Sequence, residues 1–223
     1  MPDQSTLEGH AAAAAGVAAR RPRRTQAERV AESDRRMLDA AMRLIATRGY
    51  TQTTLEAIGV EAGYSRGLVQ HRFGSKDKLL EELIARIAGD HRERLLLRMR
   101  GLSGLDAIEC EIDCYLEGMD DPPVSSRAFF VLMLESVGPA PQIRHVFAQI
   151  GARWQKALAG QIRKGQRAGR IRAEADADIE AQLLVATVRG LRMQSMLDPA
   201  ASDIASGIAA LRQRLRHRLA AGG

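Results

Sequence analysis

Between Ser65 and Gln70 the chain sets out side chains able to hydrogen-bond the edges of flat heterocycles. Arg66 carries a planar fork of donors that matches guanine O6 and N7, and Gln70 carries the donor and acceptor that pair with adenine. Leu68 offers a surface to a thymine methyl, Ser65 a hydroxyl, and Gly67 lets backbone approach closely. Thr54 and Lys76 stand at helix starts, where backbone N–H groups point outward and hold phosphate oxygens. His71 adds a phosphate donor. Arg66 serves a phosphate as well as a base, because over half of protein–DNA hydrogen bonds go to phosphate and sugar. Simple helix capping is the competing reading of Thr54.

Other chemistry is thinner. Cys110 and Cys114 lie four apart on one helical face, which suits a thiol sensor or two metal ligands; with no His or Cys completing the set, they read as small buried apolar residues. The pair Glu109–Asp113 is an ordinary helix-surface spacing. The chain lacks a phosphate-cradling Gly-rich loop, a nucleophile elbow and an HExxH zinc motif, so an enzyme is not expected, nor a metal or cofactor. Tyr115, Phe129, Met133, Trp154 and Met193 are the large apolar side chains suited to a small-ligand pocket, and each also reads as core.

The elements that position these residues are helical. Aromatics are 4% and strand-forming runs are missing. Thr25-Gln-Ala-Glu28 is a capping box, followed by an apolar stripe at Met37, Leu38, Ala41, Leu44 and Ile45 and a stop at Gly49. A second capping box is read at Thr53 and Glu56, with Leu55, Ile58 and Ala62 on one face. Gly63 turns the chain, Ser65 caps a short helix over 66–72, Gly74 ends it, and Ser75 caps the next with Asp77 near its positive end. Gly59 costs its helix about 1 kcal/mol relative to Ala, which makes sense where another segment crosses closely. Val69 and Phe73 share a face and must anchor the short helix, since so few residues cannot sustain a helix in water. Two short helices around a glycine turn over 53–73 form a helix-turn-helix. Further helices are expected at about 76–100, 104–118, 125–137, 141–167, 176–197 and 201–219, the 125–137 segment being apolar all round and therefore internal.

Composition agrees with a nucleic-acid partner. Net charge is +6, and residues 20–78 hold 13 Lys/Arg against 7 Asp/Glu, while 79–223 hold 20 against 18. A local basic excess fits a polyanion. Residues 1–24, with Arg20, Arg21, Arg23 and Arg24, read as a disordered arm able to enter a minor groove. Two cysteines make no disulfide framework, no run suits a membrane span, and a cytoplasmic location is expected.

Residues 35–80, RRMLDAAMRLIATRGYTQTTLEAIGVEAGYSRGLVQHRFGSKDKLL, closely resemble the DNA-binding domain of tetracycline-repressor-like (TetR-family) regulators. The markers are LDAAMRLI, RGY, TT, the Gly63 turn and FGSKDKLL, about a fifth of the chain. The resemblance implies an all-α protein: a basic arm at 1–24, a helix-turn-helix domain at 25–75, and an effector-binding and dimerisation domain at 76–223. It implies a homodimer, paired through its last two helices, on a palindromic double-stranded DNA operator, most simply a repressor responding to a small apolar or amphipathic effector. A DNA-binding dimer controlled by a protein partner is the alternative. Many members carry Thr-Leu-Tyr where this chain has Leu68, Val69 and Gln70, with His71 and Arg72 beside them to take over the tyrosine's contact.

Overall fold

The computed structural model describes residues 25–118, 122–198 and 203–221. The arm read at 1–24, with its four arginines, lies outside the described residues. The helices are α1 (Gln26–Gln52), α2 (Leu55–Ala62), α3 (Arg66–Phe73), α4 (Lys76–Arg98), α5 (Leu105–Leu116), α6 (Val124–Glu135), α7 (Arg144–Arg167), α8 (Ala177–Leu197) and α9 (Ile204–Leu219), with a 3-10 turn at Pro141–Ile143 leading into α7. Among the described residues the β content is an isolated antiparallel bridge between Ile171 and Ala220. No described helix is long and apolar enough to cross a membrane.

Local chemistry explains the starts. At α1 the Glu28 amide donates to the Thr25 hydroxyl at 3.1 Å and the Thr25 amide donates to the Glu28 carboxylate at 2.7 Å, the reciprocal capping box expected. Helical geometry breaks at Gly49, whose φ of 76° favours glycine, and one further turn follows. The cap of α2 falls one residue later than the capping box read at Thr53. Thr54 accepts from the Ala57 amide at 3.0 Å, while Thr53 is fully buried and donates to the Gly49 carbonyl at 2.7 Å. Thr53 thus stitches the end of α1, and the adjacent threonine is left to cap.

Two buried clusters organise the chain. The first joins Met37, Leu44, Ile45, Ile58, Val69, Phe73, Leu79, Leu80, Leu83 and Ile84 to Ala128 and Leu132 of α6, and to Ala140, Ile143 and Phe147. The second joins α5, the C-terminal part of α7, α8 and α9 through residues such as Ile112, Leu158, Ile162, Leu184, Val188 and Leu219. The first cluster therefore runs across the boundary drawn after residue 75, because α1 lies along α6. The apolar run in α6 is not buried all round. Ala128 and Leu132 pack in the first cluster and Phe130 is buried on the other side against Tyr115, while Val124 and Leu134 are exposed, so α6 is covered on two sides and open between them.

Ion pairs tie α9 back to α5. Arg216 grips Glu109 with two bonds of 2.5 and 2.6 Å, and Arg212 pairs with Asp113. The carboxylates spaced four apart on α5 are thus anchors for α9.

Candidate nucleic-acid interface and effector site

Helix α3 is held by two side chains. Val69 and Phe73 are buried in the first cluster, at 0% and 3% exposure. Ser65, Arg66, Gly67, Leu68, Gln70, His71 and Arg72 are exposed. The Ser65 hydroxyl accepts from the Leu68 amide at 3.2 Å and fixes the start. The closeness of α2 to this start depends on Gly59: a methyl there would lie 2.8 Å from the Tyr64 carbonyl oxygen and 3.2 Å from the Arg66 nitrogen. Gly63 makes the turn with φ 78°. The result is a short helix presented outward with its N-terminus free, the arrangement by which a helix-turn-helix reads a major groove.

The structure places the predicted DNA residues unequally. Ser65, Arg66, Gly67, Leu68, Gln70 and His71 lie together on the outer face of α3 and its cap, and Thr54 lies exposed at the start of α2. The Gln70 amide donates to the Gly74 carbonyl at 3.1 Å, closing its own helix. Arg72 is engaged elsewhere, at 2.7 Å from Asp34 and 3.5 Å from Glu82. Of the two neighbours expected to take the missing tyrosine's contact, only His71 is unengaged among the described side chains. Lys76 does not extend outward. Its ammonium donates to the Tyr50 carbonyl at 2.5 Å and sits 3.6 Å from the centre of the Tyr50 ring. Burial pulls its pKa below the usual lysine range, against Asp77 and Glu135. The start of α4 is capped by Ser75, whose hydroxyl accepts from the Lys78 amide at 3.2 Å.

Lys76 and Tyr50 belong to a joint between head and C-terminal half. The Tyr50 amide donates to the Glu135 carboxylate of α6 at 2.7 Å. Gly49 leaves room for that carboxylate, since a methyl there would approach it to 2.7 Å. The Tyr50 hydroxyl donates to Asp77 at 3.2 Å, and Gln142, just before α7, donates to both Asp77, at 2.9 Å, and the Tyr50 hydroxyl. Residues from α1, α4, α6 and the 3-10 turn are therefore joined in one polar cluster.

In the C-terminal half, the expected ligand residues do not converge as a set of five. Tyr115 and Trp154 stack, ring centres 4.5 Å apart. Phe129 instead packs on Phe147 at 5.1 Å, and Phe129 and Met133 border the first cluster. Met193 is exposed on α8. Around the stacked pair are groups that sequence reasoning passed over: Phe130 at 6.1 Å and His91 at 6.3 Å from Tyr115, Arg189 over Trp154, Arg192, and Glu111. A signal for two of them was present. Glu111 interrupts the stripe Ile108, Ile112, Tyr115, and Arg192 follows Leu184 and Val188 at four-residue spacing; a charge on an apolar stripe marks a site. Burial pushes Glu111 up to about 7, opposed by the Trp154 indole. Burial likewise pushes Tyr115 up to about 12, opposed by Arg189 and Arg192. His91 is held below the ordinary histidine value by burial and by Arg94 and Arg192.

The comparisons with known proteins follow the same division. The family profile for bacterial regulatory proteins of the tetR family matches residues 37–83. The profile for the C-terminal part of BetI-type transcriptional repressors matches residues 115–220. The chain is 26% identical over 175 residues to the HTH-type transcriptional regulator BetI of Serratia proteamaculans, covering 78% of this chain and 85% of that one. It is 27% identical over 172 residues to the HTH-type transcriptional repressor BepR of Brucella suis, covering 75% and 82%. A transcriptional regulator from Saccharomonospora viridis, crystallised with choline, superposes with a TM-score of 0.74 at 26% identity, covering 85% of this chain and 98% of that one. A TetR regulator from Chloroflexus aurantiacus shares the fold, with a TM-score of 0.78 at 23% identity over 87% and 99% of the two chains. With an outward-facing helix-turn-helix at one end and a matching C-terminal half at the other, the chain belongs to the TetR family of transcriptional regulators.

Proposed function

We propose that the protein is a homodimeric repressor that reads a palindromic operator with α3 and releases it when a small molecule occupies the C-terminal half. The observation that carries the reading is the two-sidedness of α3: Val69 and Phe73 are buried, and Arg66, Gly67, Leu68, Gln70 and His71 are exposed on the other face. Arg66 and Gln70 face base edges, Leu68 a thymine methyl, and Gly67 admits close backbone approach. Thr54, His71 and the capped start of α4 take phosphates, with Ser65 beside the base edges. One helix of this length binds too little DNA alone, and a two-fold dimer reads half-sites about one turn apart, ~34–36 Å.

The dimer face is assigned to α8, where Ile179, Leu183, Met193 and Leu197 are exposed along one stripe. Effector control is supported by the choline-bound relative and by the joint at Tyr50, Lys76 and Glu135. An effector acts only through unequal affinity for the DNA-competent and the released conformations. Residues 25–75 supply the reading and 76–223 the response, with α6 as the contact between them.

Gel shift and footprinting on DNA upstream of its own gene test the proposal. A protected palindrome at moderate salt is expected. Arg66→Ala should lose about 1–3 kcal/mol of discrimination at one base pair per half-site. His71→Ala should instead weaken every sequence alike. Protection without symmetry, or equal loss across sequences for Arg66→Ala, would overturn the assignment.

A further inference from the structure

Arg192 of α8 is 2% exposed, so its whole guanidinium is out of water. One of its nitrogens, Nη2, donates to the carbonyl oxygens of Tyr115 and Glu117 at 2.5 and 3.0 Å. Its Nε and Nη1 are buried and meet no acceptor among the described residues. Arginine does not give up its proton, so the charge stays. A buried charge held only by neutral carbonyls is costly, and buried donors without acceptors are rare in folded proteins.

Two more unmet groups stand beside it. Arg189, one turn earlier, has a buried Nε without a partner, and the buried Tyr115 hydroxyl is approached only by the Arg189 guanidinium, at less than full hydrogen-bond geometry. Both guanidinium charges act on that hydroxyl, favouring its negative form. The space for Arg189 is made by Gly151 of α7, where a methyl would sit 3.2 Å from Nη2. The surrounding walls are aromatic: Arg189 lies 5.7 Å from the Trp154 ring centre and Arg192 6.0 Å from that of Phe130. The nearby acids do not answer the charge. The Glu117 carboxylate is taken by Arg98 at 2.8 Å, and Glu111 turns to Trp154. His91 adds no acidic partner.

We propose that the effector is an organic carboxylate with a flat apolar body, its carboxylate held by Arg189, Arg192 and the Tyr115 hydroxyl and its body laid on Trp154 and Phe130. A carboxylate is the acceptor-only group that a pair of guanidiniums and a hydroxyl jointly satisfy. The inference rests on the reading that the C-terminal half takes a small molecule, and it names the charge of that molecule. It sets this chain apart from the relative crystallised with choline, a cation.

Trp154 is the sole tryptophan of the chain, so its fluorescence reports on the site directly. The full chain is titrated with benzoate and phenylacetate to about 10 mM, above the millimolar Kd that small ligands reach. Choline chloride, sodium chloride and sodium phosphate at equal ionic strength are the controls. Saturable fluorescence change and a raised Tm are expected with a carboxylate and with none of the controls. Arg192→Met should fold with a Tm no lower than wild type and bind at least tenfold more weakly; should it not fold, Arg189→Gln replaces it with the same expected loss. No saturable response to either carboxylate, an equal response to choline or phosphate, or unchanged binding by the folded variant overturns the inference. Operator gel shifts without carboxylate are run in parallel. Operator binding with no carboxylate response sinks this inference alone, whereas a carboxylate response without operator binding supports it and sinks the repressor reading.

Discussion

The DNA-reading head and the core of the C-terminal half solve opposite problems with the same kind of helix. In the head, the polar groups that matter are outside and the inside is apolar. Val69, Phe73, Ile58 and Ile45 pack without a buried charge among them. Around Tyr115 the inside itself is polar: Glu111, Arg192 and the Tyr115 hydroxyl are buried or nearly so, each with its ionisation displaced by burial. A surface that meets a polyanion keeps its charges hydrated until DNA arrives. A site that must recognise one small molecule keeps charges ready in a water-poor place, where they discriminate most strongly. The joint at Tyr50 connects the two through hydrogen bonds drawn from α1, α4, α6 and the 3-10 turn.

The largest expected effect breaks the head. Phe73→Ala removes the ring that pins α3 and should cost about 3–5 kcal/mol, read as a lower urea midpoint. A loss under about 1 kcal/mol would mean that α3 is held by something other than this packing.

The next effect sharpens the contrast in pH. Burial raises Glu111 to about 7 in the folded chain, above its unfolded value of 4.5. The folded state then binds more protons than the unfolded state between those values. Stability is therefore fullest below the unfolded pKa and falls as pH rises toward 7, by up to about 3 kcal/mol. Glu111→Gln should flatten that slope and melt higher than wild type at pH 8. Parallel melting curves for the two proteins between pH 5 and 8 would show that Glu111 is hydrated instead.

The smallest effect concerns the joint. Glu135→Ala removes the acceptor for the Tyr50 amide and should cost about 1.5–2 kcal/mol, at the low end for a hydrogen bond to a charged group because the site is only partly buried. Because the bond spans head and α6, the variant should also change operator affinity with α3 untouched. Altered stability with unaltered operator binding would make the joint a structural contact only.

Much of the head was legible in the sequence because its rules are local. A capping box, a glycine turn and an apolar stripe act over three to eight residues, so Thr25, Ser65, Ser75, Val69 and Phe73 fall where the sequence places them. One slip, Thr54 in place of Thr53 as the cap of α2, occurs where two adjacent threonines satisfy the same rule and only the end of α1, which runs a turn past Gly49, chooses between them. The reach of Lys76 was not legible, since a lysine at a helix start looks the same whether it extends outward or folds onto Tyr50.

By itself the sequence determined the helical class, the order of elements, the exposed face of α3 and the basic character of the first third. Tertiary structure alone decided that Tyr115 meets Trp154 and Phe130 and not Phe129, that Met193 stays outside, and that Arg189 and Arg192 are brought in beside them. Hydrophobic periodicity says which face of a helix turns inward, but not which other inward face it meets. That depends on packing between α5, α7 and α8, residues 40–80 apart in the chain, and no local spacing carries it.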